Sequence, residues 1–165
     1  AGCSVGCNSC DTDYKLRRRI SVHAIADTVD RLMVPGHEMV WITGGEPTDH
    51  EIDPLIETLK QRGHVVCVAT AGRKPIKHVP WISVSPHDYQ TEQLTGAEIK
   101  LVPGHNGFDP EKWLSRFSVD GFAHRYIQPM SVDGVETGLE YCFEFLNRYP
   151  DFVLSRQDHI HWGKR

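Results

Sequence analysis

The sequence predicts an α/β fold built from parallel strand–helix units. Short apolar runs alternate with amphipathic stretches at helical spacing along most of the 165 residues. The runs are nearly all hydrophobic, the pattern of strands covered on both faces. Several of them end on polar, glycine or proline residues, and in such architectures sites collect at the carboxyl ends of the strands.

The elements follow in order. Val22 to Leu32 reads as a helix with Ile25, Val29 and Leu32 on one face. Met39 to Thr43 reads as a buried strand. Glu51 to Arg62 carries Ile52, Leu55, Ile56 and Leu59 at helical spacing, and Gly63 ends that helix. His64 to Thr70 is the next strand. Trp81 to Ser85 follows, closed by Pro86, and then Ala97 to Val102, closed by Pro103. Residues Pro86 to Gly96 are polar and read as a loop. Asp109 followed by Pro110 is a capped helix start, and that helix is expected to reach about Phe117. Ala123 to Gln128 is a fifth strand, closed by Pro129. Gly134 to Arg148 is expected to be a helix with Val135, Leu139, Phe143 and Leu146 on one face. Asp151 to Gln157 is the last strand. Residues 1–165 show no repeat, low-complexity tract or linker, so a single domain is expected.

An apolar share of 39% suffices for one core, and the net charge of −4 gives no footprint for nucleic-acid or anionic-membrane binding. No apolar run approaches a membrane span. No secretory signal is present, so the expected compartment is the cytoplasm. The chain begins at Ala1 and its chemistry at Cys3, so N-terminal sequence, including one strand, is expected to be missing.

The five cysteines are Cys3, Cys7, Cys10, Cys67 and Cys142, an odd number that argues against a disulfide framework. Cys67 and Cys142 sit in apolar runs and read as small buried hydrophobes. The other three fall within eight residues, in Cys3-x3-Cys7-x2-Cys10. Gly2 and Gly6 let the backbone wrap closely around a bulky ligand. Three thiolates can hold three irons of a cubane and leave the fourth iron open to a small chelating molecule. Structural zinc is the competing reading. It wants a fourth ligand, from Cys67 or from His159 and His161.

The run Thr43-Gly44-Gly45-Glu46-Pro47 follows the first strand. Its glycines leave backbone groups open to a ligand, and Glu46 adds negative charge. A plain turn into a helix explains it equally well. It is no phosphate loop, for it lacks the Gly-Lys-Ser/Thr ending. Lys15 to Arg19 reads as a solvated segment rather than a nucleic-acid patch, and the four tryptophans as core or interface aromatics.

Together these motifs resemble the radical S-adenosylmethionine (SAM) superfamily, and within it the 7-carboxy-7-deazaguanine synthase family. The resemblance rests on residues 2–12, 42–47, Ser83 to Pro86, Glu98 to Lys100, Gln128 to Met130 and Gln157 to His159, in the right order along almost the whole chain. It implies an abbreviated, open (βα) barrel of the radical SAM type, working as a homodimer. It implies a 4Fe–4S cluster on Cys3, Cys7 and Cys10. SAM would be held by Ser9, Cys10, Asp11, Gly44, Gly45, Glu46, Ser83, Ser85, Pro86, His87, Lys100, Gln128, Pro129, Met130 and Ser131. Thr12 matches a Mg²⁺ ligand, and a hydroxyl oxygen suits that hard ion. Thr43, Thr70, Gln157 and His159 would face the substrate, 6-carboxy-5,6,7,8-tetrahydropterin.

The implied reaction is a radical ring contraction with loss of ammonia, begun by a 5′-deoxyadenosyl radical, with no side chain as acid or base and a flavodoxin or ferredoxin as electron donor. The chain departs from the family pattern at Ala69-Thr70-Ala71-Gly72-Arg73, usually Glu-Thr-Ser-Gly-Thr, at His87, where Lys is common, and in the N-terminal Gln-Gly-Glu-Gly and Arg it does not contain. An activase for a glycyl-radical enzyme or anaerobic ribonucleotide reductase is the alternative within the superfamily. A non-catalytic zinc- or cluster-binding interaction module is the alternative outside it.

Overall fold

The structure is a computed structural model that describes residues 3–8, 10, 19–132, 135–158 and 162. Helix α1 (Val22–Leu32) is followed by strand β1 (Met39–Ile42), helix α2 (Asp53–Gln61) and strands β2 (Val65–Thr70), β3 (Trp81–Val84) and β4 (Gly96–Leu101). Helix α3 (Pro110–Leu114) leads to β5 (Phe122–Ile127). A hairpin of β6 (Met130–Val132) and β7 (Val135–Thr137) precedes α4 (Leu139–Arg148) and β8 (Val153–Leu154). Two 3-10 turns, Pro47–Asp49 and His105–Gly107, follow β1 and β4.

Six strands form one sheet in the order β1-β2-β3-β4-β5-β8, every neighbouring pair parallel. The order follows the chain, so each connection returns to the same edge and all six carboxyl ends meet on one rim. Only three of the five connections contain an α-helix. The β2–β3 and β3–β4 connections are loops.

Alternation along the strands separates two faces. Val66, Val68, Ile82, Val84, Ile99, Leu101 and Ile127 belong to the core cluster with Ile56 and Leu59 of α2, Trp113 of α3 and Phe145 of α4. The other face carries Trp41, Trp81, Glu98, Lys100, His124 and Tyr126. Register sets Trp41 near Cys67 and Trp81, and Glu98 beside Ser83 and His124. Trp81 stacks on His124, with ring centroids 5.7 Å apart. Of the tryptophans, Trp113 is core, while Trp41 and Trp162 are exposed. Cys67 and Cys142 are fully buried, as their apolar surroundings predict.

Trp113 has no exposed surface, packs on Phe117 with centroids 4.9 Å apart, and donates its ring N–H to Thr91 Oγ1 at 3.1 Å. Trp113→Ala is expected to lower stability by about 3–5 kcal/mol, read from the urea midpoint, because it leaves both a cavity and an unpaired Thr91.

The helix caps follow the sequence closely. Ser21 caps α1 by accepting from Ala24 N, and Asp109 caps α3 by accepting from Glu111 N and Lys112 N. Several expectations need correction. Helix α3 ends at Leu114 rather than near Phe117. The helix expected over 134–148 starts only at Leu139. Before it, β-branched Val132, Val135 and Thr137 form the β6–β7 hairpin, and Gly138, at φ +79°, turns the chain into α4. Its buried face is also rotated. Cys142 and Phe145 point inward with Leu146 and Tyr149 beside them, while Phe143 is 53% exposed. On α1, Ala26 is the fully buried residue and Leu32 lies in solvent. The last strand shrinks to Val153–Leu154, since only Tyr126 and Ile127 of β5 lie opposite it.

Candidate active site

The cysteine loop lies across the rim of strand ends. Ser4 N donates to Asp49 Oδ2 at 2.7 Å, and Asp49 closes the 3-10 turn after β1. Asn8 N donates to Asn106 Oδ1 at 2.8 Å, and Asn106 Nδ2 donates to Gly6 O at 3.4 Å. Asn106 sits at the centre of the 3-10 turn after β4, at φ +50°, a conformation that asparagine tolerates better than most residues. The loop thus bridges the ends of β1 and β4. Gly6, at φ +63°, and a Cys10 N to Cys7 O bond of 3.3 Å fold it into a turn.

Cys3 and Cys7 are half-buried thiols, and Cys10 lies exposed beside them. Burial, with the neighbouring Cys10 and Cys3, pushes the Cys7 thiol up to about 11. A crowded thiol that resists ionisation is a state an iron cluster relieves, since the metal takes the thiolate form and supplies the compensating charge. The donor set therefore fits a cubane held by three cysteines. Burial opposes ionisation of Asp49, but the Ser4 hydrogen bonds and the Lys74 charge hold it below the usual carboxylate range. The anchor is thus charged at neutral pH.

Thr43 and Gly44 at the end of β1 are exposed, Gly45 is half-buried, and a Cβ built on Gly44 meets no atom within 4 Å. Glu46 is 2% exposed. Its Oε1 accepts from Thr48 N at 3.1 Å, Thr48 Oγ1 at 2.6 Å and Thr70 Oγ1 at 2.6 Å, and its Oε2 accepts from Ala71 N at 2.6 Å. Glu46 therefore ties the end of β1 to the end of β2. Thr70 is engaged twice, since its hydroxyl also accepts from Gly72 N at 2.9 Å. The hydroxyl's two bonds stay within the protein.

At the end of β3, Ser83 is buried and Ser85 N donates to Thr70 O at 2.8 Å. Pro86 is buried and leads to His87. Lys100 is half-buried on β4. At the end of β5, Gln128 is 7% exposed, and its Oε1 accepts from Ser155 Oγ at 3.1 Å. Pro129, Met130 and Ser131 continue from there into the hairpin. Gln157 is half-buried beyond β8. Ser9, Asp11, Thr12 and His159 lie outside the described residues, as does most of the Lys15 to Arg19 segment.

Several residues at this rim carry no signal in the sequence. Asp49 and Asn106 lie 45 and 98 residues from the loop they hold. Arg73 binds the Asp88 carboxylate and donates to Gln90 Oε1 at 2.5 Å, joining the two helix-free loops. It also lowers the Cys7 pKa, so a cation stands near the cysteine loop. His105 meets His87 ring to ring, with centroids 4.3 Å apart. One ligand atom from each of Cys7, His87 and His105 lies within 4.8 Å of the others.

Asn106→Gly keeps the backbone allowed but removes the clamp on Gly6 and Asn8. It is expected to weaken cluster retention by about 1–2 kcal/mol, a factor of about 5–30, seen as faster iron loss to a chelator with the melting curve little changed.

No protein-family model matches the chain. Among curated proteins it is 32% identical over 176 residues to the 7-carboxy-7-deazaguanine synthase of Synechocystis sp., covering 99% of this chain and 81% of that one. It is 30% identical over 168 residues to the Caulobacter vibrioides protein of the same name, covering 95% and 78%. The Bacteroides thetaiotaomicron protein is 28% identical over 161 residues, covering 96% and 81%. The crystal structure of QueE from Escherichia coli superposes with a TM-score of 0.71 at 23% identity, over 94% of this chain and 81% of that one, which establishes the shared open α/β fold. With a cysteine loop spanning the strand ends and relatives matched along nearly its whole length, the chain belongs to the 7-carboxy-7-deazaguanine synthase family.

Proposed function

We infer that the chain is a carbon–nitrogen lyase that converts 6-carboxy-5,6,7,8-tetrahydropterin to 7-carboxy-7-deazaguanine with loss of ammonia, in 7-deazapurine (queuosine) biosynthesis. Family membership supports the reaction. The observation that carries it on the structure is the cysteine loop pinned by Asp49 and Asn106 across the ends of β1 and β4. The cofactors are a 4Fe–4S cluster, SAM and Mg²⁺. When bound, they supply the one-electron chemistry that takes a hydrogen atom from the pterin, which no side chain can do.

The chain's own residues bind and orient. Cys3, Cys7 and Cys10 are proposed to hold the cluster, and Thr12 the Mg²⁺. SAM is assigned to Ser9, Cys10, Asp11, Gly44, Gly45, Ser83, Ser85, Pro86, His87, Lys100 and Gln128 to Ser131, and Glu46 fixes the turn that presents the glycines. The open space over Gly44 leaves its backbone accessible to a polar ligand. Thr43, Gln157 and His159 are proposed to face substrate. Thr70 supports that contact by holding Glu46 in place.

The same proposal treats residues 1–165 as one domain, supported by the single parallel sheet and shared core cluster. A homodimer, a flavodoxin or ferredoxin donor and a cytoplasmic location accompany it on the strength of the family. Among the described residues no helix is long and apolar enough to cross a membrane. Anaerobic incubation with the carboxy-tetrahydropterin, SAM, Mg²⁺ and a reductant tests the reading. The expected product is 7-carboxy-7-deazaguanine. SAM cleavage without that product would assign the enzyme another heterocycle.

A further inference from the structure

Two buried ring nitrogens at the cysteine loop lack a partner among the described residues: His87 Nδ1 and His105 Nε2. A buried polar group without a hydrogen bond costs about 1–3 kcal/mol. Two of them side by side point to an acceptor that belongs there. Sulfur is an acceptor at this place, since Cys7 Sγ and one ring nitrogen from each histidine fall within 4.8 Å of one another.

The two rings reach this place on separate elements. His87 follows Ser85 and Pro86 at the end of β3. His105 opens the 3-10 turn after β4, the same turn whose Asn106 clamps the residues on either side of Cys7. One short turn therefore fixes both the loop and the imidazole facing it. The rings meet edge to face at 65°, a packing that holds each in place without a hydrogen bond between them.

We propose that His87 and His105 form an imidazole pair that donates hydrogen bonds to the Cys7 side of the iron–sulfur cluster and raises its reduction potential. The proposal rests on the cluster assignment above. Hydrogen bonds to a cluster's sulfurs favour its reduced, more negative form and so move the potential upward. Each neutral ring has one N–H to give, and the tautomer with His87 Nδ1–H and His105 Nε2–H lets a cluster sulfur at this place accept from both orphaned atoms. A mononuclear zinc ion on the same three groups is the rival geometry. It would need Cys7 for itself, and the cluster needs Cys7 too.

The test uses the full chain, reconstituted anaerobically with iron and sulfide. His87→Phe and His105→Phe keep the ring volume and remove the donor. His87→Asn and His105→Gln restore an N–H at the position of the relevant ring nitrogen. Iron content and the absorbance near 400 nm show whether the cluster is present, and a redox titration followed by electron paramagnetic resonance gives its midpoint. Each Phe variant is expected to keep its iron and shift the midpoint to more negative values. The amide variants are expected to recover most of the shift. Full iron with an unchanged midpoint in both Phe variants overturns the imidazole pair alone. Stoichiometric zinc in place of iron in the parent chain overturns the cluster assignment itself.

Discussion

Replacing Cys7 with alanine is expected to drop iron from about four per reconstituted chain to near zero and to abolish SAM cleavage. A cubane held by three cysteines loses one of its three protein anchors with each one removed, and the loop has no cysteine beyond Cys3, Cys7 and Cys10 to replace it. Cys7 is half-buried, and burial with the neighbouring Cys10 and Cys3 raises its thiol to about 11. Its loss is thus expected to matter through ligation rather than folding. Cys142→Ala is the control. Its thiol is fully buried in the core, where burial also raises it to about 11. That variant is expected to lose stability and keep its iron. The two substitutions separate on two instruments, iron analysis and thermal melting.

Glu46→Ala is expected to cost about 3–5 kcal/mol, because it strips a buried carboxylate from partners that have no solvent to turn to. Four donations end on that one group, from Thr48 N, Thr48 Oγ1, Thr70 Oγ1 and Ala71 N. For a chain of this size the melting temperature should fall by about 10 °C or more. Glu46→Gln gives the finer test. Its amide oxygen can still accept from Thr48 and Thr70, but its nitrogen would then face Ala71 N, donor against donor. An intermediate loss of about 1–3 kcal/mol is expected. Both variants should also loosen the Gly44–Gly45 turn, so weaker SAM binding in the folded fraction accompanies the stability loss.

Local signals and tertiary ones divide what the sequence reveals. The bounds of helix α1 were legible from the spacing of Ile25, Val29 and Leu32, though Ala26 rather than Leu32 is the residue it buries. Asp109 and Pro110 marked the start of α3 by their cap and first-turn chemistry. The β6–β7 hairpin escaped because Val135 and Leu139 fit a helical period as well as a strand. The Asp133-Gly134 pair between Val132 and Val135 was the turn signal that argued otherwise. At the site, the cysteine spacing and the glycine turn are local patterns and could be read directly. Asp49, Asn106 and His105 could not, because their roles exist only once β1 and β4 lie in one sheet. Glu46 was read as a charge beside a ligand. The fold brings Thr70 and Ala71 against it, and four protein donors occupy it first.

The loop at Cys3, Cys7 and Cys10 is proposed to hold a cluster that leaves one iron open to SAM at the rim of the strands. The direct measurement is the electron paramagnetic resonance spectrum of the reduced, reconstituted chain with and without SAM. A cubane signal that changes its g-values when SAM is added is the predicted result. A spectrum indifferent to SAM, or a chain that takes up zinc and no cluster, would contradict it.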